Sequence, residues 1–589
     1  MLAQARAHYS AGELGAAESV LRSLLADDPD NVDALVLKGN ILNDLGRAAD
    51  AIACYQRALE IAPGRADALA NLGNALQYLG RLQESVSRYE QAIALAPDYL
   101  EAHHNLGNAL ESLDLQPQAV AHFRRALELD PDYVEARWAI AMSQLRRVYA
   151  TAAEAEQCRE AFARELEGLD AWFDARRQKL GFRAVGVQQP FALAYMAHNN
   201  RQLLKRYGGL CVRLMSDWSA AQALPPPVPL PAGGALRIGI VSQYLREHSV
   251  WNALMRGWFE KIDPRRFELH AFYLGAHVDA ETERCRRLAA QFHMGGKGLR
   301  GWADAILGSQ LHVLIYPEVG MDPLTAKLAS LRLAPHQVAA WGHPETTGLP
   351  TVDAYLSARG MEPDGAQSHY SENLVALPNL GCNFSRAAVR AQLPEIKVAR
   401  PILVCPGTPF KYSPQHDDLY AEIARRLGRC TFVFFVHQGR FDLAERLLAR
   451  LREPFARAGL RVELHVAFLP WLDRAHFYGL LQCADAFLDT PGFSGFNTAM
   501  QAIECGLPIV ALEGRFLRGR FASGILRRLD LTSLVAQSDE EYVDIAVRLA
   551  RDADHRNAVR ELIAARRGIL FDDMAPIRAL EDYLASVAG

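Results

Sequence analysis

The feature that most constrains this chain is a period of 34 residues in its first quarter. Pro29, Pro63, Pro97 and Pro131 stand 34 residues apart, Gly12, Gly46, Gly80 and Asp114 keep the same step, and so do Gly39, Gly73, Gly107 and Ala141. The text between them repeats as ALEIAPGRADALANLGNAL, AIALAPDYLEAHHNLGNAL and ALELDPDYVEARWAIAMSQL. Tyr55, Tyr89 and Phe123 recur with it. Such a unit cannot bury its apolar face alone, so the period predicts a stack of helix pairs in which neighbours complete one another's core.

The 34-residue helix–turn–helix with small residues at fixed positions is the tetratricopeptide pattern. Residues 1–146 are read as an α-solenoid. Asn71 and Asn105 stand two residues before the repeated glycine, and Asn40, Asn74 and Asn108 one after it. An amide offers both a donor and an acceptor, which suits an extended acceptor peptide lying in a concave groove. From Thr151 the period is lost while helical patterning continues, so 147–222 is expected to cap the array. The segment ALPPPVPLPAGGA, 223–235, carries five prolines and reads as a stiff linker and domain boundary.

Beyond the linker the pattern alternates between strands and helices. Strands are expected at Leu236–Ser242, Leu269–Gly275, His312–Glu318 and His336–Gly342. A second set follows at Pro401–Gly407, Cys430–Gln438, Arg461–Phe468, Ala486–Gly492 and Leu507–Gly514. Alternation of this kind implies parallel sheets covered on both faces. We read two Rossmann-like lobes, 236–395 and 396–589, with ligands beyond the carboxyl ends of the strands.

Four stretches there carry chemistry. LDTPGFSGFNTAMQAIECGLPIVAL runs from a strand through a Gly-rich turn into a helix near Asn497 and Thr498. Free N–H groups at such a start favour phosphate, and either side chain could equally be a plain N-cap. Lys411 follows the strand at 401–405, where an ammonium could neutralise a leaving diphosphate. His248 follows the first strand, and GHPETTG places His343, Thr346 and Thr347 after another.

A net charge of −4 gives no basic footprint for nucleic acid, and no run approaches the ~18 apolar residues that span a bilayer. The N-terminus lacks a signal-peptide pattern, and nine scattered cysteines without C-x-x-C fit a reducing cytoplasm. The D-x-D strings at 28–30, 130–132 and 552–554 lie in repeat turns or near a helix end, so no metal ligand set and no cofactor are expected.

These residues resemble the O-GlcNAc transferase/SPINDLY-like family of protein glycosyltransferases. The resemblance rests on the repeats, on LRIGIVS…EHS, on LRLAPHQVAAWGHPETTG, and on ADAFLDTPGFSGFNTAMQAIECGLPIV followed by EEYVDIAVRLARD. It implies a GT-B fold and metal-independent, inverting transfer of GlcNAc from UDP-GlcNAc to Ser or Thr of a protein. Lys411 then matches the essential lysine at the donor diphosphate, and His248 the first-lobe histidine. Thr408 matches a donor-contacting Gln. Arg474 and the neighbouring His476 or Phe477 fall near the uridine. Phe496, Asn497 and Thr498 occupy the phosphate-binding helix start, usually His-Thr-Thr. Gln501 replaces the acid expected at the ribose, and Glu345 stands where the family has glycine. YPEVGMD and GHP-x-TT are closer to the bacterial adhesin N-glucosyltransferases, so a UDP-glucose-dependent enzyme with Asn acceptors is an alternative. A non-catalytic repeat scaffold is another.

Overall fold

The computed structural model describes residues 1–228, 234–396, 398–436 and 440–588. Pro229–Gly233 of the Pro-rich segment therefore lie outside the described residues, as do His437 and Gln438 at the end of the strand expected over 430–438. The chain divides into two compact units, Met1–Arg146 and Arg147–Gly589.

The first unit is a run of paired helices, from Leu2–Ser10 and Leu14–Asp27 through Gln116–Leu129, and then Val134–Met142. The periodic residues each have a mechanical task. Gly12, Gly46, Gly80 and Asp114 take φ of 76°, 75°, 74° and 60° in the turn within each pair. That left-handed conformation is free for glycine and tolerated by Asp. Gly39 and Gly73 lie against the rings of Tyr55 and Tyr89, where an added Cβ would come within 2.5 and 2.6 Å of the ring. Gly107 stands in the same relation to Phe123. The glycine is thus the socket for the aromatic of the paired helix.

The asparagines join successive repeats. Asn40 Oδ1 accepts from the Tyr55 hydroxyl at 2.8 Å and from Asn71 Nδ2 of the next repeat at 3.0 Å. Asn74 Oδ1 accepts likewise from Tyr89 at 2.6 Å and Asn105 at 3.0 Å. Asn108, whose repeat has Phe123 in place of Tyr, pairs with His104 at 3.1 Å. All five amides are half-buried. Asn74→Ala should leave the Asn105 amide without its acceptor, while the Tyr89 hydroxyl keeps Gln77 Oε1 at 3.1 Å, at a cost of about 1 kcal/mol. Urea unfolding of the full chain reads this as a lower midpoint, and an unchanged midpoint would show the rung to be passive.

In the second unit all strand pairs are parallel. Sheet one holds β1 (Leu236–Ser242), β2 (Phe267–Tyr273), β3 (Gln291–Met294), β4 (Val313–Tyr316), β5 (His336–Ala340), β6 (Ala354–Ala358) and β7 (Asn373–Leu377), in the order β3-β2-β1-β4-β5-β6-β7. Sheet two holds β8 (Ile402–Val404), β9 (Thr431–Phe435), β10 (Val466–Leu469), β11 (Ala486–Leu488), β12 (Ile509–Leu512) and β13 (Val535–Ala536), in the order β10-β9-β8-β11-β12-β13. Ile238 of β1 registers with Leu269 on one side and Val313 on the other, and Phe487 of β11 sits between Val404 and Ile509. These central strands are apolar on both faces because helices cover both. Each sheet reverses its winding once, between β1 and β4 and between β8 and β11. Such switch points open a crevice at the carboxyl ends of the strands.

The helices of 147–222, expected to cap the array, cluster with the second unit. The helix Arg201–Ala221 crosses the loop after β5 backbone to backbone, since a Cβ on Gly208 would strike Gly348 and one on Gly348 would strike Leu204. The C-terminal helix is Ala575–Ala588. It returns to sheet one, with Glu581 accepting from Asp263 N–H at 2.8 Å and Tyr583 hydroxyl meeting His336 at 2.8 Å. Its apolar stripe, Ile577, Leu580 and Leu584, is what sheet one buries.

Candidate active site

The crevice of the second lobe is built from the loops after β8 and β11. The loop after β8 closes in a short turn, Pro409–Lys411, that aims the Lys411 side chain over Phe493, with Nζ 4.7 Å from the ring centre. Phe493 follows β11, so the two loops meet at the switch point. Desolvation pushes the Lys411 ammonium down to about 8, against the pull of the Asp489 carboxylate. Asp489, at the end of β11, is itself pushed up to about 6 by burial and accepts from Gly495 N–H at 3.1 Å. That bond fixes the Gly-rich turn, which opens into the helix Phe496–Glu504 with Gly495 as its N-cap. Thr408 Oγ1 is buried with no hydrogen-bond partner among the described residues.

Along that helix Asn497, Thr498 and Gln501 share one face by their spacing. Asn497 Nδ2 donates to the Ser249 carbonyl at 3.1 Å, which brings the start of the helix beside the first-lobe loop carrying His248. Thr498 Oγ1 reaches the Gly495 carbonyl at 3.4 Å. Gln501 is half-buried. Phe496 points elsewhere, into an aromatic cluster with Trp341 at 5.0 Å, Phe384 at 5.8 Å and Phe521 at 6.0 Å. Its ring is core packing between the lobes, which corrects its expected place among the donor contacts.

In the first lobe, His248 stacks on Tyr244 with centroids 3.9 Å apart, and its Nδ1 accepts from Val250 N–H at 3.2 Å. Burial, helped by the Arg246 charge, holds the ring down to about 4, so it is neutral at pH 7. Glu247 beside it pairs with Arg474 across the lobes. His476 binds the Asp473 carboxylate at 2.9 Å, and Phe477 meets Phe435 edge-on at 5.7 Å.

The loop after β5 departs from expectation. Thr347 Oγ1 bonds Glu372, Thr346 Oγ1 does so at 2.5 Å, and Thr347 N–H donates to the same carboxylate at 2.7 Å. His343 is buried under Phe191, with centroids 4.6 Å apart, and desolvation pushes it down to about 4. Glu345 is paired with Arg518. Thr346 and Thr347 turn towards Glu372 because a buried carboxylate needs donors.

Comparisons with known proteins place this architecture. A model of glycosyl transferase family 41 matches residues 474–574, and a tetratricopeptide model matches 30–98 and 64–132. The probable UDP-N-acetylglucosamine–peptide N-acetylglucosaminyltransferase SPINDLY of Solanum lycopersicum is 25% identical over 56% of this chain and 36% of its own length. The similarly described SEC protein of Arabidopsis thaliana is 27% identical over 69% of this chain and 43% of its own. A solved mutant of the O-GlcNAc transferase of Thermobaculum terrenum has the same fold, with a TM-score of 0.69 and 23% identity over 95% of this chain and 97% of that one.

The chain is similar to the O-GlcNAc transferase/SPINDLY-like family. It spans less than half the length of these two curated relatives. Several residues at or near the crevice carry no sequence signal of their own. Phe493 and Asp489 were visible only as a strand end and a turn. Tyr195, packed on Phe410 at 5.2 Å and Phe493 at 4.8 Å, comes from the segment before the linker, which no strand pattern flags. Glu318 is buried after β4, accepts from Ser242 Oγ at 2.6 Å, and is pushed up to about 8 by desolvation.

The Lys411 environment sets a pH dependence. The ammonium is the form able to bind a diphosphate, and the free side chain loses its proton as pH rises through about 8. kcat/KM for a nucleotide-sugar donor should therefore fall about tenfold per pH unit above that point. kcat should hold to higher pH, because a bound diphosphate favours the charged form. A kcat/KM profile flat to about pH 9.5 would remove Lys411 from this role.

Proposed function

We propose that this chain is an inverting, metal-independent protein glycosyltransferase of the cytoplasm, moving GlcNAc from UDP-GlcNAc to Ser or Thr of protein acceptors bound by the repeats. The observation that carries this reading is Lys411, a partly desolvated cation at the switch point of the second lobe, beside a helix start whose N–H groups also suit phosphate. In the reaction the acceptor hydroxyl oxygen attacks the anomeric carbon as the bond to UDP breaks, and the hydroxyl proton is released to solvent. The electron pair leaves with the diphosphate, and Lys411 offsets that charge. His248, neutral at pH 7, is the first-lobe group beside the helix start and is suited to hydrogen-bond the sugar or the acceptor. The names of the curated relatives support UDP-GlcNAc and peptide acceptors.

The test is incubation with a protein acceptor and either UDP-GlcNAc or UDP-glucose, read by UDP release and by the mass gained on the acceptor. A HexNAc increment on Ser or Thr is expected. A hexose increment on Asn would replace this reading with the glucosyltransferase one, and release from neither donor would leave a scaffold. EDTA should leave the rate unchanged. Among the described residues no group of three or more His, Cys, Asp or Glu is gathered to hold a metal ion. Loss of activity in EDTA with recovery on adding Mn²⁺ would overturn the metal-independent reading.

A further inference from the structure

Glu345 stands where the family pattern has glycine, and the structure supplies its counterpart. Arg518, in the loop between β12 and the helix Phe521–Arg528, is 3% exposed and Glu345 is 6% exposed. The Arg518 guanidinium bonds the Glu345 carboxylate at 2.5 Å, the Met196 carbonyl at 2.8 Å and the His198 carbonyl at 2.6 Å. Asn200 Nδ2 completes the carboxylate at 3.2 Å. One planar cation therefore serves acceptors from the first lobe and from the helical segment before the Pro-rich stretch, a task that suits the fixed fork of Arg and not the single ammonium of Lys. A lone buried charge at either position would be costly, so each residue explains the other.

The backbone of the same residue faces the donor side. The Arg518 carbonyl accepts from Ser494 N–H at 2.7 Å, and Ser494 Oγ accepts from Ala522 N–H at 2.8 Å. Ser494 lies in the Gly-rich turn that joins Asp489 to the helix start at Phe496. A single residue thus holds the turn through its main chain and anchors that turn to the first lobe and the helical segment through its side chain.

We propose that Arg518 is a positioning residue for the donor diphosphate: with Glu345 it latches the two lobes and the helical segment together, so that the Gly-rich turn is held in its binding geometry before the donor arrives. This rests on the proposed reading of the crevice as a UDP-sugar site. Binding to a preset site avoids the cost of ordering it, and loss of the latch returns that cost to the binding step.

The experiment compares the unsubstituted chain with E345M/R518M, which exchanges the ion pair for apolar side chains of similar length and leaves no unpaired buried charge. Melting temperature, affinities for UDP and for uridine, and kcat and KM for the nucleotide sugar are measured. The expected result is a folded variant with UDP binding about tenfold weaker, uridine binding unchanged and kcat/KM reduced at least as much. R518K covers the case in which the double variant fails to fold. Its ammonium keeps the charge but cannot serve the carboxylate and both carbonyls, so the same selective loss is expected at smaller size. A folded variant with unchanged UDP affinity and turnover, or one that loses uridine and UDP equally, overturns the proposal. An unsubstituted chain that does not bind UDP overturns the glycosyltransferase reading and this inference with it, whereas UDP binding that is indifferent to R518K and E345M/R518M overturns this inference alone.

Discussion

Lys411→Ala is expected to lower kcat/KM by about 10²–10³ while leaving the melting temperature within a few degrees of the unsubstituted chain. The size follows from where the charge acts. A cation aimed at a leaving diphosphate works on charge that develops only in the transition state, in a crevice where water screens it poorly. The small effect on stability follows from the neighbours. Asp489 loses its cation, yet burial already pushes its carboxyl up to about 6, and it keeps the Gly495 N–H. Protonation therefore relieves the unpaired carboxylate at modest cost. Lys411→Met separates charge from packing, since its stem can still cover Phe493. Both variants should lose turnover alike, and a Met variant with near-normal activity would show that the ammonium has no part in the chemistry.

Removal of residues 1–146 should spare UDP binding and lower transfer to protein acceptors by at least about tenfold, through lost acceptor delivery. The cut falls at the border between the two compact units. Every residue placed at the crevice, Lys411, Asp489, Phe493, Asn497 and His248, lies in the second unit. The array keeps unused hydrogen-bonding capacity for an acceptor. Asn40 and Asn74 are joined to the next repeat through their oxygens, and their amide N–H groups have no partner among the described residues. The measurement is kcat/KM on a protein acceptor beside a short peptide, after the truncated chain is shown to melt cooperatively. Full activity of the truncated chain on the protein acceptor would detach the repeats from acceptor binding.

The periodic part of the fold was legible because each repeat position answers a local need. Gly12, Gly46 and Gly80 mark a left-handed turn, and even Asp114, the exception in the text, takes the same conformation. The apolar strands β1, β8 and β12 announced themselves by composition. β3 did not, because the half-buried edge strand Gln291–Met294 lacks a continuous apolar run; β6 and β7 went unread, although Leu374–Leu377 is apolar throughout. In the crevice, the positions of Lys411 and His248 were legible because each follows a strand. The site was not legible where function depends on a partner far along the chain. Thr346 and Thr347 read as hydroxyls for a donor until Glu372 is seen between them, and Phe496 reads as a phosphate-site residue until Trp341 and Phe384 surround it. The helical segment 147–222 looked like the end of the array because its pattern is helical, and a helical pattern does not say which surface a helix covers.

The rung from Asn71 to Asn40 and the rung from Asn105 to Asn74 are the same joint used twice. Each refers only to the repeat beside it. Duplicating or losing one 34-residue unit would therefore create or remove a whole joint and leave the others intact. The reach of the array is in that sense a parameter that unequal recombination can adjust in single steps, without a new packing solution and without altering the crevice. On the proposed reading, in which the repeats hold the acceptor, a lineage would change which acceptors it holds by counting repeats, while the crevice stays fixed.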